Sequence, residues 1–249
     1  MRKGLFLRGY HTDTNLPSFD SCYFSHIPAL RVTPFQFSKP VTFLVGENGS
    51  GKSTLLEALA MNWGFNPEGG SKNFNFSTKD THADLFRFMH LVRGVDHARN
   101  GFFLRAESFY NVATNVDELA EEEGGHRFLE YYGGKSLHNQ SHGESFLALM
   151  LNRFGTDGLY LLDEPEAALS PQKQMTMLVR LHQLVRQNCQ FVIATHSPIL
   201  MAYPDAELFV LSESGMKKTN YRDTDHYLIT RHFLEDPQKM LRYLFAENE

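Results

Sequence analysis

One glycine-rich segment, Gly46–Thr54, constrains the fold of this chain more than any other part of its sequence. It follows an apolar run that predicts a strand, Pro40–Val45, and it leads into a helical pattern that continues to Trp63. A strand, a glycine loop and a helix in this order predict a phosphate-binding turn, because the glycines let successive N–H groups face one anion and the helix N-terminus adds partial positive charge. A turn with a purely structural role is the alternative.

The side chains of this segment have separate expected roles. Lys52 would reach the terminal phosphates of a nucleotide, and Ser53 would ligate Mg²⁺. Further phosphate contacts are expected from the loop and the start of the helix, at Gly46, Asn48, Gly49, Ser50, Gly51 and Thr54.

The composition limits the class of protein. The 249 residues carry a net charge of −5 and are 42% hydrophobic, which predicts a folded domain without the global basic field of a nonspecific DNA-binding protein, although a local basic patch is compatible with these numbers. The longest apolar runs are much shorter than the ~20 residues that span a bilayer, and we expect no signal peptide. Two cysteines, Cys22 and Cys189, fit the buried thiols of a reducing compartment, with a disulfide between them as the alternative, so a cytoplasmic location is expected.

Short apolar runs alternate with helical patterns in the second half of the chain. Strands are predicted over Gly158–Asp163, Gln190–Thr195 and Glu207–Leu211, with a helix from Ser170 to Gln187. This alternation predicts an α/β fold with a mixed, mainly parallel central sheet flanked by helices. The C-terminus is expected to form one or two helices, broken at Asp236-Pro237.

The first half of the chain is less regular. Two short β-like runs, Leu5–Tyr10 and Cys22–Ile27, precede the glycine loop. Residues 64–139 combine a loop-like stretch rich in Asn, Gly and Phe with a mixed segment that includes three consecutive glutamates. We expect these residues to form an inserted helical and irregular subdomain, so that the nucleotide core comprises residues 1 to 63 and 140 to 249.

Adjacent carboxylates end the predicted strand Gly158–Asp163. Two acidic residues at the carboxyl end of a strand point to opposite sides and can act differently. Asp163 could hold Mg²⁺, and Glu164 could orient or deprotonate an attacking water. A solvated acidic turn after a strand is the alternative.

A histidine, His196, follows the next predicted strand. The chain between Asp163 and His196 is long enough for one helix and one strand, so both residues can lie at the same edge of a parallel sheet. His196 could sense the γ-phosphate, although a histidine at a strand end more often has a structural role. No functional role is predicted for the other eleven histidines.

A fourth motif, Gln140–Ser145, precedes an amphipathic helix. Alone, Ser141 with Glu144 three residues later predicts a capping box at a helix start.

The four motifs, in this order over residues 46–198, resemble those of the ATP-binding-cassette (ABC) class of P-loop ATPases. The resemblance implies that Ser141, Gly143 and Glu144 belong to a signature segment that contacts ATP from a second subunit. It also implies that Ala167–Ser170 communicates across the dimer and that His196 is the switch histidine. Asp163-Glu164-Pro165-Glu166 is more similar to the RecF and SMC branch, and to small stand-alone bacterial ATPases, than to transporter subunits.

Two departures from the class pattern are visible. Glu144 stands where the signature usually has a second glycine, and no glutamine is found for the loop that senses the metal. Glu107 is the candidate metal ligand in that loop, after the strand-like run Gly101–Arg105. Tyr23 or Phe24 is the candidate to stack on adenine.

The leading hypothesis is an Mg²⁺-dependent ATPase, with Glu164, His196 and Lys52 as catalytic residues, that forms a homodimer around ATP. One alternative is an ATP-gated module of RecF or SMC type that binds DNA or a partner protein in repair or defence. The ATP-binding subunit of a transporter is a further alternative, and a kinase-type phosphoryl transferase would leave the strand-end residues unexplained.

Overall fold

The computed structural model describes residues 4–67, 69–70, 84–106, 109, 113, 114, 117 and 142–246. Its larger sheet contains six strands: β3 (Val41–Val45), β5 (Asn100–Arg105), β6 (Gly158–Asp163), β7 (Gln190–Ala194), β8 (Glu207–Ser212) and β9 (Gly215–Lys218). Their spatial order is β5-β6-β7-β3-β8-β9. All neighbouring pairs are parallel except the terminal hairpin of β8 and β9. The predicted mixed, mainly parallel α/β sheet is therefore confirmed.

A smaller antiparallel sheet lies beside the first. It comprises β1 (Leu7–Thr12), β2 (Phe35–Gln36) and β4 (Met89–Arg93), in the order β2-β1-β4. The side chain of Gln190 connects the two sheets, because it accepts from the N–H of Leu7 at 2.9 Å and donates to the carbonyl of Leu7 at 2.7 Å.

Seven α-helices lie within the stretches 4–67 and 142–246. They are α1 (Pro17–Asp20), α2 (Lys52–Trp63), α3 (His142–Asn152), α4 (Pro171–Arg186), α5 (Pro198–Met201), α6 (Asp225–Glu235) and α7 (Pro237–Ala246). Ser170 caps α4, as predicted, by accepting a hydrogen bond from the N–H of Lys173. The break at Asp236-Pro237 is confirmed between α6 and α7.

The two faces of the larger sheet belong to two cores. Because side chains alternate along a strand, Tyr160 and Leu162 of β6 face one core, whereas Leu159 and Leu161 face the other. Helices α3 and α4 pack on the first face, and α2 packs on the second together with the smaller sheet. Burial on both faces explains why β3 and β6 are apolar along almost their whole length.

One run in the first half of the chain that the sequence predicts as a strand folds differently. Cys22–Ile27 does not form a strand: residues Tyr23–His26 form a 3₁₀ turn, closed by hydrogen bonds from Ser25 N–H to Cys22 O and from Ile27 N–H to Phe24 O. The turn buries Phe24 and Ser25, and Pro28 begins a second such turn. Local i to i+3 bonding therefore replaces strand pairing here.

Part of the predicted insertion contributes to the sheets. Strands β4 and β5 fall within residues 64–139, and they pair with β1 and β6. Most of the rest of that range, including the acidic run, lies outside the described residues. Over the portions that the structure describes, no helix is both long and apolar enough to cross a membrane.

Candidate active site

The glycine loop joins β3 to α2, as the sequence predicts. Gly46 and Gly51 have backbone φ angles of 148° and 95°, which residues other than glycine rarely adopt. A Cβ atom on Gly46 would also lie 2.3 Å from the carbonyl oxygen of Leu211. The sequence therefore places glycine where the backbone must turn sharply and pass close to β8, and Gly51 ends the turn at the N-terminus of α2.

Lys52, the first residue of α2, folds back over the loop. Its Nζ donates hydrogen bonds of 2.8 Å to Gly46 O and 2.9 Å to Glu47 O. Burial lowers the pKa of Lys52, and the nearby carboxylates of Glu164 and Asp163 oppose this shift. The ammonium group is thus held inside the loop, where the predicted phosphate oxygens would meet it.

Ser53 and Asp163 meet at the carboxyl edge of the sheet. The Oγ of Ser53 donates a 3.0 Å hydrogen bond to Oδ1 of Asp163, which is the last residue of β6 and is buried. A hydroxyl oxygen and a carboxylate oxygen side by side are ligands that Mg²⁺ prefers, so these two residues could hold the metal.

Arg105 is a neighbour of this pair that sequence reasoning missed. It ends β5 directly opposite Asp163 in the parallel register, and its Nε lies 3.8 Å from Asp163 Oδ2. Its Nη1 also lies 2.9 Å from Oε2 of Glu57, a buried residue of α2. Arg105 therefore connects the edge strand, the carboxylate of Asp163 and the helix that follows the loop.

Glu164 occupies a left-handed backbone conformation, with φ of 49° and ψ of 51°. Its N–H donates to Ala194 O of β7 at 2.9 Å, which fixes the turn between β6 and the following 3₁₀ turn, Pro165–Ala168. Its carboxylate is partly exposed, and Oε1 lies 3.5 Å from Nε2 of His196. The two predicted catalytic side chains are therefore neighbours.

His196 follows β7 and is held from two sides. Its backbone N–H donates to Oε1 of Glu166, and its Nδ1 lies 3.0 Å from Nε2 of His226. Burial and the positive charge of Lys52 lower the pKa of His196, and Glu164 opposes this shift. Burial also raises the pKa of Glu166.

His226, to which the sequence assigns no functional role, is the histidine that contacts His196. This residue lies in the first turn of α6, beyond the β8–β9 hairpin. No motif surrounds it, and its contact with His196 depends on where the hairpin returns the chain. Together with Gly46–Ser50 and the hairpin, His226 lines a cavity of about 1020 Å³ beside the loop.

The signature-like segment is described only in part. Gly143 lies in the first turn of α3, and a Cβ atom on it would lie 2.5 Å from the carbonyl oxygen of Ala168. The side chain of Glu144 is exposed. Ser141, and the candidate metal ligand Glu107, lie outside the described residues.

The two candidates for adenine stacking differ in exposure. Phe24 is buried and packs edge-on against Phe19 and Phe88, so its ring is not accessible to a nucleotide base. Tyr23 is 63% exposed and is therefore the accessible ring of the two.

Two family models match successive parts of the chain. Residues 23–102, which contain the glycine loop, match a family model described as "AAA domain". Residues 130–202, which contain Asp163, Glu164 and His196, match a model described as "AAA domain, putative AbiEii toxin, Type IV TA system".

Two curated relatives are ATP-binding proteins. An uncharacterized ABC transporter ATP-binding protein of Haemophilus influenzae is 28% identical over 194 residues, which cover 68% of this chain and 69% of the relative. The ribose import ATP-binding protein RbsA of Halalkalibacterium halodurans is 26% identical over 187 residues. That alignment covers 70% of this chain but only 38% of RbsA.

Among solved structures, cbiO1 from Clostridium perfringens, part of the ABC transporter complex cbiONQ, matches with a TM-score of 0.45 and 19% identity, over 88% of this chain and 92% of that chain. The two family models match successive parts of the chain, and the site residues that they contain meet at one edge of the sheet. The chain is accordingly a P-loop ATPase domain, similar in successive parts to AAA-domain models and to an ABC transporter ATP-binding protein.

Proposed function

We propose that this ATPase hydrolyses ATP with Mg²⁺ in a homodimer, with each ATP held between the glycine loop of one subunit and the start of α3 in the other. The observation that carries the proposal is the pair Glu164 and His196, 3.5 Å apart at the sheet edge that also carries Ser53 and Asp163. A carboxylate and an imidazole at this distance can share the tasks of orienting a water and binding the phosphoryl oxygens.

The residues of the loop would bind the nucleotide. Lys52 would donate to the β- and γ-phosphate oxygens in place of its present carbonyl acceptors, and the N–H groups of Asn48 to Thr54 would surround the phosphates. Ser53 and Asp163 would hold Mg²⁺, with Glu107 as the candidate third ligand. Bound Mg²⁺ would neutralise charge on the phosphate oxygens.

The positions of α2 and α3 support a dimer. Leu55, Leu56 and Leu59 of α2 belong to the core on one face of the sheet, whereas Phe146 and Leu149 of α3 belong to the core on the other face. Gly143, at the start of α3, packs against Ala168 of its own chain. Ser141, Gly143 and Glu144 would therefore reach the γ-phosphate most directly on another copy.

The variant Glu164→Gln tests the proposal. It should bind ATP, lose at least about a hundredfold in turnover because the water-orienting carboxylate is gone, and accumulate as a dimer with ATP and Mg²⁺. ATPase rate, nucleotide binding and mass by light scattering measure the three effects. Glu235→Gln makes the same charge change on the exposed helix α6 and should behave as the wild type. Turnover of Glu164→Gln at the wild-type rate would show that Glu164 is not the base.

Two proposals concern the process in which this ATPase works. The sequence motifs favour an ATPase that works without a transporter, in the cytoplasm, as a DNA- or protein-binding module of RecF or SMC type. The curated relatives, which are transporter ATP-binding proteins, favour a transporter subunit. Stimulation of turnover by DNA, with binding that falls steeply as salt rises, would support the first. Co-purification of a membrane protein in stoichiometric amount would support the second.

A further inference from the structure

His226 contacts the histidine that we place at the γ-phosphate, although it lies 30 residues further along the chain. Its Nε2 lies 3.0 Å from Nδ1 of His196, and the two ring centroids are 5.2 Å apart at an interplanar angle of 48°. The contact is therefore made through the ring nitrogens at hydrogen-bond distance, with the two planes inclined to each other.

Two ring nitrogens at this distance require one proton between them. Burial lowers the pKa of both His196 and His226 from 6.5, so both rings are neutral near pH 7 and each carries one N–H. Either His226 donates to Nδ1 of His196, or His196 donates to Nε2 of His226. In the first case Nε2 of His196 faces the site with a proton, and in the second case it faces the site without one.

The other side of His196 favours the first arrangement. Its Nε2 is buried, makes no hydrogen bond within the described residues, and lies 3.5 Å from Oε1 of Glu164. A bare Nε2 would turn a lone pair toward a carboxylate oxygen, which repels it. A protonated Nε2 would point an N–H toward that carboxylate and toward the phosphate expected above it.

We propose that His226 is a positioning residue, whose Nε2–H donates to Nδ1 of His196 and thereby holds His196 in the tautomer with its proton on Nε2. The tautomer of an imidazole follows from the hydrogen bond made by its second nitrogen. The inference rests on the proposed role of His196 in hydrolysis, and it assigns the partner that prepares His196 for that role.

The start of α6 gives His226 a fixed position. Thr224 is buried and caps the helix by accepting from the N–H of Tyr227, and its own hydroxyl donates to Tyr221 O at 2.8 Å. A capped first turn keeps the ring of His226 beside His196.

Three variants separate the possibilities. His226→Phe removes the donor but keeps a ring, and His226→Asn removes it without apolar bulk because the asparagine amide is too short to reach. His226→Gln keeps an amide N–H at nearly the same reach as Nε2. Thermal unfolding and ATP binding of each variant establish that the fold and the loop are intact.

The first readout is the tautomer of His196 itself, observed from its ¹⁵N and ¹³C ring shifts by NMR with His196→Ala for assignment. We expect the Nε2–H form in the wild type and in His226→Gln, and a mixture of tautomers in His226→Phe and His226→Asn. The second readout is kinetic. Turnover should fall about tenfold in the Phe and Asn variants, the size typical when a partner that orients a functional imidazole is lost, with KM for ATP unchanged and with recovery in Gln.

The outcomes distinguish the two proposals. If His196→Ala keeps wild-type turnover, His196 has no role in hydrolysis and the proposed function fails at that residue, while the NMR result still tests the hydrogen bond. If His196→Ala loses turnover but His226→Phe and His226→Asn match the wild type in both tautomer and turnover, the positioning role of His226 is wrong.

Discussion

Ser53 and Asp163 are 110 positions apart in the sequence, and a 3.0 Å hydrogen bond joins their side chains at the carboxyl edge of the sheet. The contact exists because the glycine loop connects β3 to α2, while β6 is separated from β3 in the sheet only by β7. The hydroxyl and the carboxylate thus lie side by side, as two oxygen ligands of the proposed Mg²⁺ site would.

This arrangement predicts a change in the Mg²⁺ requirement. Ser53→Ala removes one of the two proposed oxygen ligands, so the Mg²⁺ concentration for half-maximal ATPase activity should rise at least about tenfold, equivalent to ~1.4 kcal/mol. Ser53→Thr retains a hydroxyl and should need less Mg²⁺ than the alanine variant. A titration of activity against Mg²⁺ measures both. Equal Mg²⁺ dependence in wild type and Ser53→Ala would remove Ser53 from the metal site.

The ion pair between Arg105 and Glu57 predicts a large effect on stability. Arg105→Met would leave the largely buried carboxylate of Glu57 without the guanidinium that lies 2.9 Å away, and we expect a loss of about 3 kcal/mol in the free energy of unfolding. The double variant Glu57→Leu, Arg105→Met removes both charges and should recover much of this loss. Urea denaturation measures each variant. A loss below about 1 kcal/mol in Arg105→Met would mean that the pair behaves like an exposed one.

The parts of the site that the sequence predicts are those with local patterns. The glycine loop, the strand that ends at Asp163 and the cap at Ser170 each depend on neighbours within a few residues, so periodicity and turn chemistry suffice to find them. His196 could be associated with Asp163 because consecutive parallel strands joined by a helix are often adjacent in the sheet.

The parts that the sequence does not predict depend on sheet order. Arg105 meets Asp163 only because β5 pairs with β6, and His226 meets His196 only because a hairpin directs α6 back over the edge. No spacing of residues within a short stretch of sequence predicts either contact. The structure of Cys22–Ile27 is hard to predict for another reason. A short apolar segment can bury side chains in a 3₁₀ turn as well as in a strand.

The close packing of Gly143 predicts that a single methyl group disturbs the signature segment. In Gly143→Ala the Cβ atom would lie 2.5 Å from the backbone oxygen of Ala168, which cannot rotate away, so the start of α3 must shift. We expect turnover to fall at least about tenfold, because the contact proposed across the dimer is lost, while ATP still binds to the loop.

Gly4→Ala is the matched control for this change, since a Cβ atom there would meet no atom within 4 Å. ATPase rate and nucleotide binding should both match the wild type in that variant. Wild-type turnover in Gly143→Ala would indicate that the start of α3 makes no contact that hydrolysis requires.

Glu207 predicts how stability depends on acid. This buried first residue of β8 accepts hydrogen bonds from Ser38, Thr42 and Lys218. Burial alone would raise the pKa of Glu207, but the hydrogen bonds to its ionised carboxylate outweigh burial and lower that pKa from 4.5. A carboxyl group whose pKa is lower in the folded state stabilises the fold fully above its unfolded pKa, and this contribution is lost as the pH falls through the folded value.

The variant Glu207→Gln isolates that contribution, because glutamine keeps the shape but cannot ionise. The wild type should be more stable than Glu207→Gln at neutral pH, and the gap between their urea midpoints should shrink as the pH falls below about 4.5. Glu213→Gln removes a carboxylate from the exposed end of the β8–β9 hairpin and should stay close to the wild-type curve. A gap between wild type and Glu207→Gln that stays constant, or widens, in acid would show that the hydrogen bonds do not favour the ionised carboxylate.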